Sequence, residues 1–230
     1  RGRRLPGLAS SWDADPTRVV FTIREGATCS DGTPITPTIV ADSIDSFLAT
    51  ADGVTVLNTF GSFDPQVAAD DAAGTVTVTP QQPWADMLQA FTVASTGIVC
   101  PAGIADPDGL NTGRVAGAES GPYILEKAEP GISYTYTLRD DYDAWPEWTT
   151  TIDGEIPKTI VYSVAKDPSA AANQVLSGQL DLARIMPDSQ ARFDGQDGIT
   201  LTGFPFGNFF LVFNERPGTV FADPAARKAS

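Results

Sequence analysis

Between Thr22 and Pro37 the chain reads TIREGATCSDGTPITP, which packs the end of a strand, a tight turn and the start of a helix into one short span. Before it, Val19, Phe21 and Ile23 alternate with Val20, Thr22 and Arg24, so one face of a strand is apolar. Asp31-Gly32 supplies a turn in which glycine accepts positive φ. Thr36 followed by Pro37 then predicts an N-cap and a first helical residue. Val40, Ile44, Phe47 and Leu48 recur at helical spacing and form the expected buried stripe. Strand and helix this close in sequence require an α/β arrangement with a helix laid over a sheet.

The same punctuation continues along the chain. Thr75 to Thr79 is a strand stopped by Pro80, with Asp71 to Gly74 as the hairpin turn if Gln66 to Ala69 is its partner. Residues 84–91 present Trp84, Leu88 and Phe91 on one side of a short helix. From Cys100 to Gly113 the run of Pro, Gly and Asp reads as a long connection with little room for regular elements. Strands are expected at 123–125, 134–138 and 159–164, and a short helix after Asp167-Pro168 with Ala172, Val175 and Leu176 inward. Gly178 should release the chain into a strand at 180–185. Residues 208–214 read as a core strand, and a further helix begins at Pro224. Trp12 to Thr17 reads as a turn-rich entry. The sequence shows no internal repeat at a fixed period.

Composition sets the outer limits. With 230 residues and 42% hydrophobic content, including 12 Phe and 4 Trp, the chain can bury a substantial core. Its formal net charge of −14 repels phosphate backbones, which excludes nucleic acid as a partner. No apolar run is long enough to span a bilayer, and the opening Arg1-Gly2-Arg3-Arg4 is not followed by the apolar centre of a leader. A signal or lipid-anchor sequence, if the gene encodes one, is expected outside this chain. Histidine is absent, so Ser/His/Asp chemistry has no base within the chain. The glycines do not form a phosphate loop at a strand-to-helix junction. Asp31, Asp42, Asp140, Asp141 and Asp181 define no catalytic pair of the kind a glycosidase needs.

The two cysteines, Cys29 and Cys100, allow two readings: a disulfide, or two separate buried thiols. A bridge would close a loop of roughly 70 residues and stabilise by roughly 4 kcal/mol through restriction of the unfolded chain. It would suit an oxidising, extracytoplasmic compartment.

Several segments carry a resemblance in the same order. Leu8 to Trp12, Phe21 to Gly26 and Ser30 to Thr36 are followed by Glu119-Ser120-Gly121-Pro122-Tyr123 and Arg139-Asp140-Asp141-Tyr142. Leu176-Ser177-Gly178-Gln179-Leu180-Asp181 and Leu211-Val212-Phe213-Asn214 complete the series. Together they resemble the extracytoplasmic solute-binding proteins of oligopeptide, dipeptide and nickel ABC importers (family 5). The resemblance implies mixed-sheet lobes of a bilobed periplasmic-binding-protein-like fold, with most of the second large lobe missing from this partial chain. It further implies an accessory α/β subdomain at residues 5–112. Residues 113–230 would then be part of the principal first lobe, ending near the crossover.

On that resemblance the expected function is capture of a peptide-like solute outside the cytoplasm and its delivery to an ABC permease with its ATPase. No covalent step, metal or cofactor is expected. The full-length protein is expected in the periplasm or at the cell surface, with a lipid anchor as one option. A sensory or adhesion module retaining the scaffold is the alternative. Phe206, Asn208, Phe209 and Phe210 are candidate cleft residues because they are expected on or beside the strand approaching the second lobe. Tyr142, Trp145 and Trp148 combine apolar area with a polar handle, which suits either aromatic recognition or clamping of a surface loop. Arg24 and Arg139 could hold a ligand carboxylate or tie sheet elements together.

Overall fold

The computed structural model describes residues 4–61, 64–113, 115–146, 154–203 and 213–228. The chain divides into two compact units, residues 1–164 and 165–230.

The first unit opens with β1 (Ala9–Asp15), β2 (Arg18–Ile23), α1 (Pro37–Thr50), α2 (Gly53–Phe60), β3 (Gln66–Asp70) and β4 (Thr75–Thr79). These four strands form an antiparallel sheet in the order β1-β2-β4-β3. Register places Val19 opposite Val78 and Phe21 opposite Val76, so the apolar alternation of two distant segments falls on one face. Val19, Val76 and Val78 are fully buried there. Helix α1 packs against β3 and β4 and covers that face. Its Thr36 cap accepts from the Ile39 amide at 3.3 Å, and Val40 and Ile44 are buried while Phe47 and Leu48 pack at the core margin. Asp52 caps α2 by accepting from the Val54 and Thr55 amides, both at 3.0 Å.

Three local readings of the sequence are corrected here. The segment read as a turn-rich entry is largely β1, because Trp12 and its neighbours pair with β2. The helix expected over 84–91 shrinks to α3 (Met87–Ala90). The Trp84 amide donates to Pro16 O at 2.6 Å, which ties the start of this segment to the β1–β2 turn. The connection after Cys100 holds two one-turn helices, α4 (Pro101–Ala105) and α5 (Pro107–Asn111), each started by a proline at its first position.

A second antiparallel sheet completes the first unit: β5 (Tyr123–Glu129), β6 (Ser133–Leu138) and β7 (Thr159–Ser163), in that order. Val161 and Tyr162 on β7 are more than half exposed.

The second unit contains α6 (Pro168–Leu176), a 3-10 segment at Pro187–Phe193 and α7 (Pro224–Lys228). Asp167 caps α6 by accepting from the Ser169 amide at 2.8 Å. The inward residues of α6 are Ala171 and Ala172, with Val175 half-buried. The strand expected at 180–185 is absent: the residues carry no regular structure and Leu182 is 88% exposed. A strand needs a ladder partner for its backbone groups, and the described residues supply none to this segment. The strand expected at 208–214 lies outside the described residues except for Phe213 and Asn214.

Candidate functional site

Three segments distant in sequence meet at one place in the first unit: the turn after β2, the Glu119–Tyr123 stretch before β5, and Arg139 at the end of β6. The turn is built by Asp31, whose carboxylate accepts from the Thr33 amide at 2.9 Å, while the Gly32 amide donates to Cys29 O at 3.0 Å. Gly32 sits at φ +84°, the left-handed geometry that glycine adopts without steric cost. Hydrogen bonds from Thr33, together with the charge of Arg139, hold the Asp31 carboxyl below its ordinary range.

Arg139 is the centre of this joint. Its side chain is 1% exposed, yet its donors are met by acceptors from several segments. Nη1 donates to Thr28 O at 2.9 Å and Gly121 O at 3.4 Å; Nη2 donates to Thr28 Oγ1 at 2.9 Å and Cys29 O at 3.0 Å. Nε and Nη2 form a two-point pair with Asp141 at 3.1 and 2.9 Å. A planar fork of five N–H groups can serve this many partners, whereas an ammonium could not. The hydrogen bonds from Arg139 are the first cause of the lowered Asp141 pKa, and the charge of Arg139 adds to it.

Two further ties close the joint. Ser30 donates its hydroxyl to Glu119 Oε2 at 2.7 Å and its amide to Glu119 O at 2.8 Å. Cys29 and Cys100 are joined as a disulfide, fully buried, with Cα atoms 6.0 Å apart. Of the two carboxylate-binding arginines considered from the sequence, Arg139 is therefore committed to protein acceptors, and Arg24 Nε donates to Gly7 O at 2.9 Å.

Beside the joint lie Tyr142 and Trp145. Their rings meet edge to face at 5.0 Å, and the Arg139 guanidinium stands 5.7 Å from the Tyr142 ring. The Tyr142 hydroxyl donates to Ala144 O at 3.3 Å, and the Trp145 indole donates to Tyr142 O at 3.1 Å. Both polar handles thus serve the loop itself, and Tyr142 packs against the core of the four-stranded sheet. Burial pushes the Tyr142 hydroxyl pKa up, with Arg139 and Arg24 acting against it. Trp148, Phe206, Asn208, Phe209 and Phe210 lie outside the described residues.

Sequence reasoning offered Arg139 as a tie between sheet elements but did not anticipate that the resemblance-bearing segments converge on it. Only the presence of an arginine directly after a strand of alternating Tyr and Thr hinted at it. Among the described residues, no three His, Cys, Asp or Glu side chains gather as a metal-binding group. No helix there is long and apolar enough to cross a membrane.

The architecture is that of a substrate-binding protein: known structures sharing it are bilobed, and this chain corresponds to part of them. A family model described as "Bacterial extracellular solute-binding proteins, family 5 Middle" matches residues 5–229, and the chain belongs to this family. Family 5 proteins are extracytoplasmic. A substrate-binding protein from Microbacterium hydrocarbonoxydans, solved with 4-hydroxybenzoate hydrazide, is 67% identical with a TM-score of 0.86, over 95% of this chain and 45% of that one. Protein XP55 of Streptomyces lividans is 27% identical over 94% of this chain and 37% of its own length. The oligopeptide-binding protein OppA of Mycobacterium bovis is 26% identical over 93% of this chain and 36% of its own length. The chain therefore spans less than half the length of each of these relatives.

Proposed function

We propose that this chain contributes the first lobe of an extracytoplasmic receptor that captures a small, amide-bearing solute and delivers it to an ABC permease with its ATPase. The observation that carries the reading is the 67% identity, over 95% of the chain, to a protein holding an acyl hydrazide. An acyl hydrazide and a peptide share a carbonyl beside an N–H. A cleft that replaces water around such a group needs backbone-type donors and acceptors rather than one fixed side chain. The peptide-binding relative supports the same ligand chemistry.

In this reading residues 5–112 form an accessory subdomain and residues 113–230 part of the principal lobe. Phe206, Asn208, Phe209 and Phe210 are assigned as candidate ligand-binding residues, with Tyr142 and Trp145 as further aromatic candidates from the β6–β7 connection. Closure of two lobes on the solute, without a covalent step, presents it to the permease. The full-length protein is held outside the cytoplasm, by a lipid anchor where its gene encodes one.

The test is calorimetry on the gene product purified from its native host, titrated separately with 4-hydroxybenzoate hydrazide and with a short peptide, beside mass spectrometry of co-purifying solutes. Binding of either compound supports the amide-bearing class, and a preference between them assigns the aromatic or the peptide branch. Binding of neither, with no solute recovered, refutes it.

A further inference from the structure

The four-stranded sheet carries a cavity separate from the Arg139 joint. It lies between the sheet and the helices α1 and α3, with a volume of about 220 Å³. Its walls include Trp12 of β1, Phe21 of β2, Ile44 of α1, and Phe91 and Ile98 after α3. Phe21 and Phe91 stand edge to face at 4.8 Å, so part of the lining is an ordered aromatic wall rather than loose side chains.

Its size selects a ligand class. An apolar cavity of ~150 Å³ holds a benzene, whereas clefts for drug-sized or peptide ligands begin near ~300 Å³. The space here therefore suits one aromatic ring with one small substituent.

Charge selects the substituent. The chain has 29 acidic residues against 15 basic ones, yet among the described residues the cavity lining contains Arg4 and no Asp or Glu. Arg4 is held at the mouth by a short relay: its Nη2 donates to Gln89 Oε1 at 3.0 Å, and Gln89 Nε2 donates to Thr92 Oγ1 at 2.7 Å. This leaves further guanidinium N–H groups to meet a carboxylate at the mouth. Asp15 and Asp86 line an adjoining cleft that also borders Arg4, outside the apolar chamber.

We propose that this cavity binds a single-ring aromatic monocarboxylate, ring inward against Trp12, Phe21 and Phe91, carboxylate outward on Arg4. The inference does not rest on solute capture between lobes, and either can fail without the other.

The test uses the 230-residue chain with ¹³C-labelled methyl groups, titrated with benzoate and, as a neutral counterpart, benzyl alcohol. Benzoate is expected to shift the methyl signals of Ile23, Ile44, Leu88 and Ile98. Arg4→Gln, with each titration referred to the variant's own free spectrum, should weaken benzoate about tenfold and benzyl alcohol by less than about twofold. The proposal is overturned if those methyls stay still at about 10 mM benzoate, if shifts cluster only elsewhere, or if Arg4→Gln weakens both compounds alike or neither.

Discussion

A single buried guanidinium, that of Arg139, joins acceptors supplied by residues more than a hundred positions away in sequence. Its substitution tests whether the joint is structural. Arg139→Met strips the part-buried Thr28 carbonyl of its guanidinium donor and leaves Cys29 O with the Gly32 amide alone, and a loss of about 2–4 kcal/mol is expected from urea unfolding midpoints. Arg139→Lys should recover only a minor part, because an ammonium cannot span both sides of the fork. The partnership also sets a pH response. Asp141 has its folded pKa lowered by Arg139, so its contribution is present above the unfolded value near 4 and fades as pH falls through the lower folded value. The Arg139→Met deficit should therefore shrink between about pH 5 and pH 2; a deficit constant over that range would detach Asp141 from the joint. The sequence disclosed Arg139 as a cation at a strand end and offered two roles for it. Three of its six hydrogen bonds go to backbone carbonyls, which carry no residue-specific signal, so the choice between roles was not legible.

At the scale of elements, local rules and long-range contacts divide the outcome. Helix α1 was legible because its cap, its N1 proline and its apolar stripe agree. Helix α2 ends at Gly61, φ +66°, where an added Cβ would lie 2.1 Å from the Trp84 ring. Gly61→Ala combines left-handed strain with overpacking, and a loss of about 3 kcal/mol is expected in thermal or urea unfolding. A loss below about 1 kcal/mol would mean that Trp84 moves aside freely. The same Trp84, ahead of the shortened α3, gives its amide to Pro16 across the fold. No window of sequence around 84–91 contains that partner. Strand β1 escaped notice for the related reason that Ser10, Ser11, Asp13 and Asp15 dilute its pattern, and pairing with β2 decides it.

Across the whole chain, the Cys29–Cys100 bond is the longest covalent constraint, with a sequence separation of 71. Replacing both cysteines with alanine should lower stability by about 4 kcal/mol in the chain-entropy account, measured as a shift in urea midpoint relative to the oxidised protein. An unchanged midpoint would show that the Arg139 and Glu119 ties suffice alone. The two units should also differ in local stability. Among the described residues of 165–230, Ala171, Ala172 and Phe193 are the buried hydrophobics while Leu182 and Val220 are exposed, whereas the four-stranded sheet buries a continuous apolar cluster. Amide exchange is expected to be faster in α6 than in β2 and β4, and equal protection would contradict the assignment. What the sequence determined alone was the alternation of strands and capped helices, the acidic surface charge, the lack of a histidine base and the ordered series of family segments, because each is written in local spacing or composition. The tertiary structure decided which of those segments touch, that Arg139 is spent on the joint, and that Arg4 borders an apolar cavity lined by Trp12, Phe21 and Phe91, because such contacts arise from chain closure between residues whose separation leaves no periodic trace.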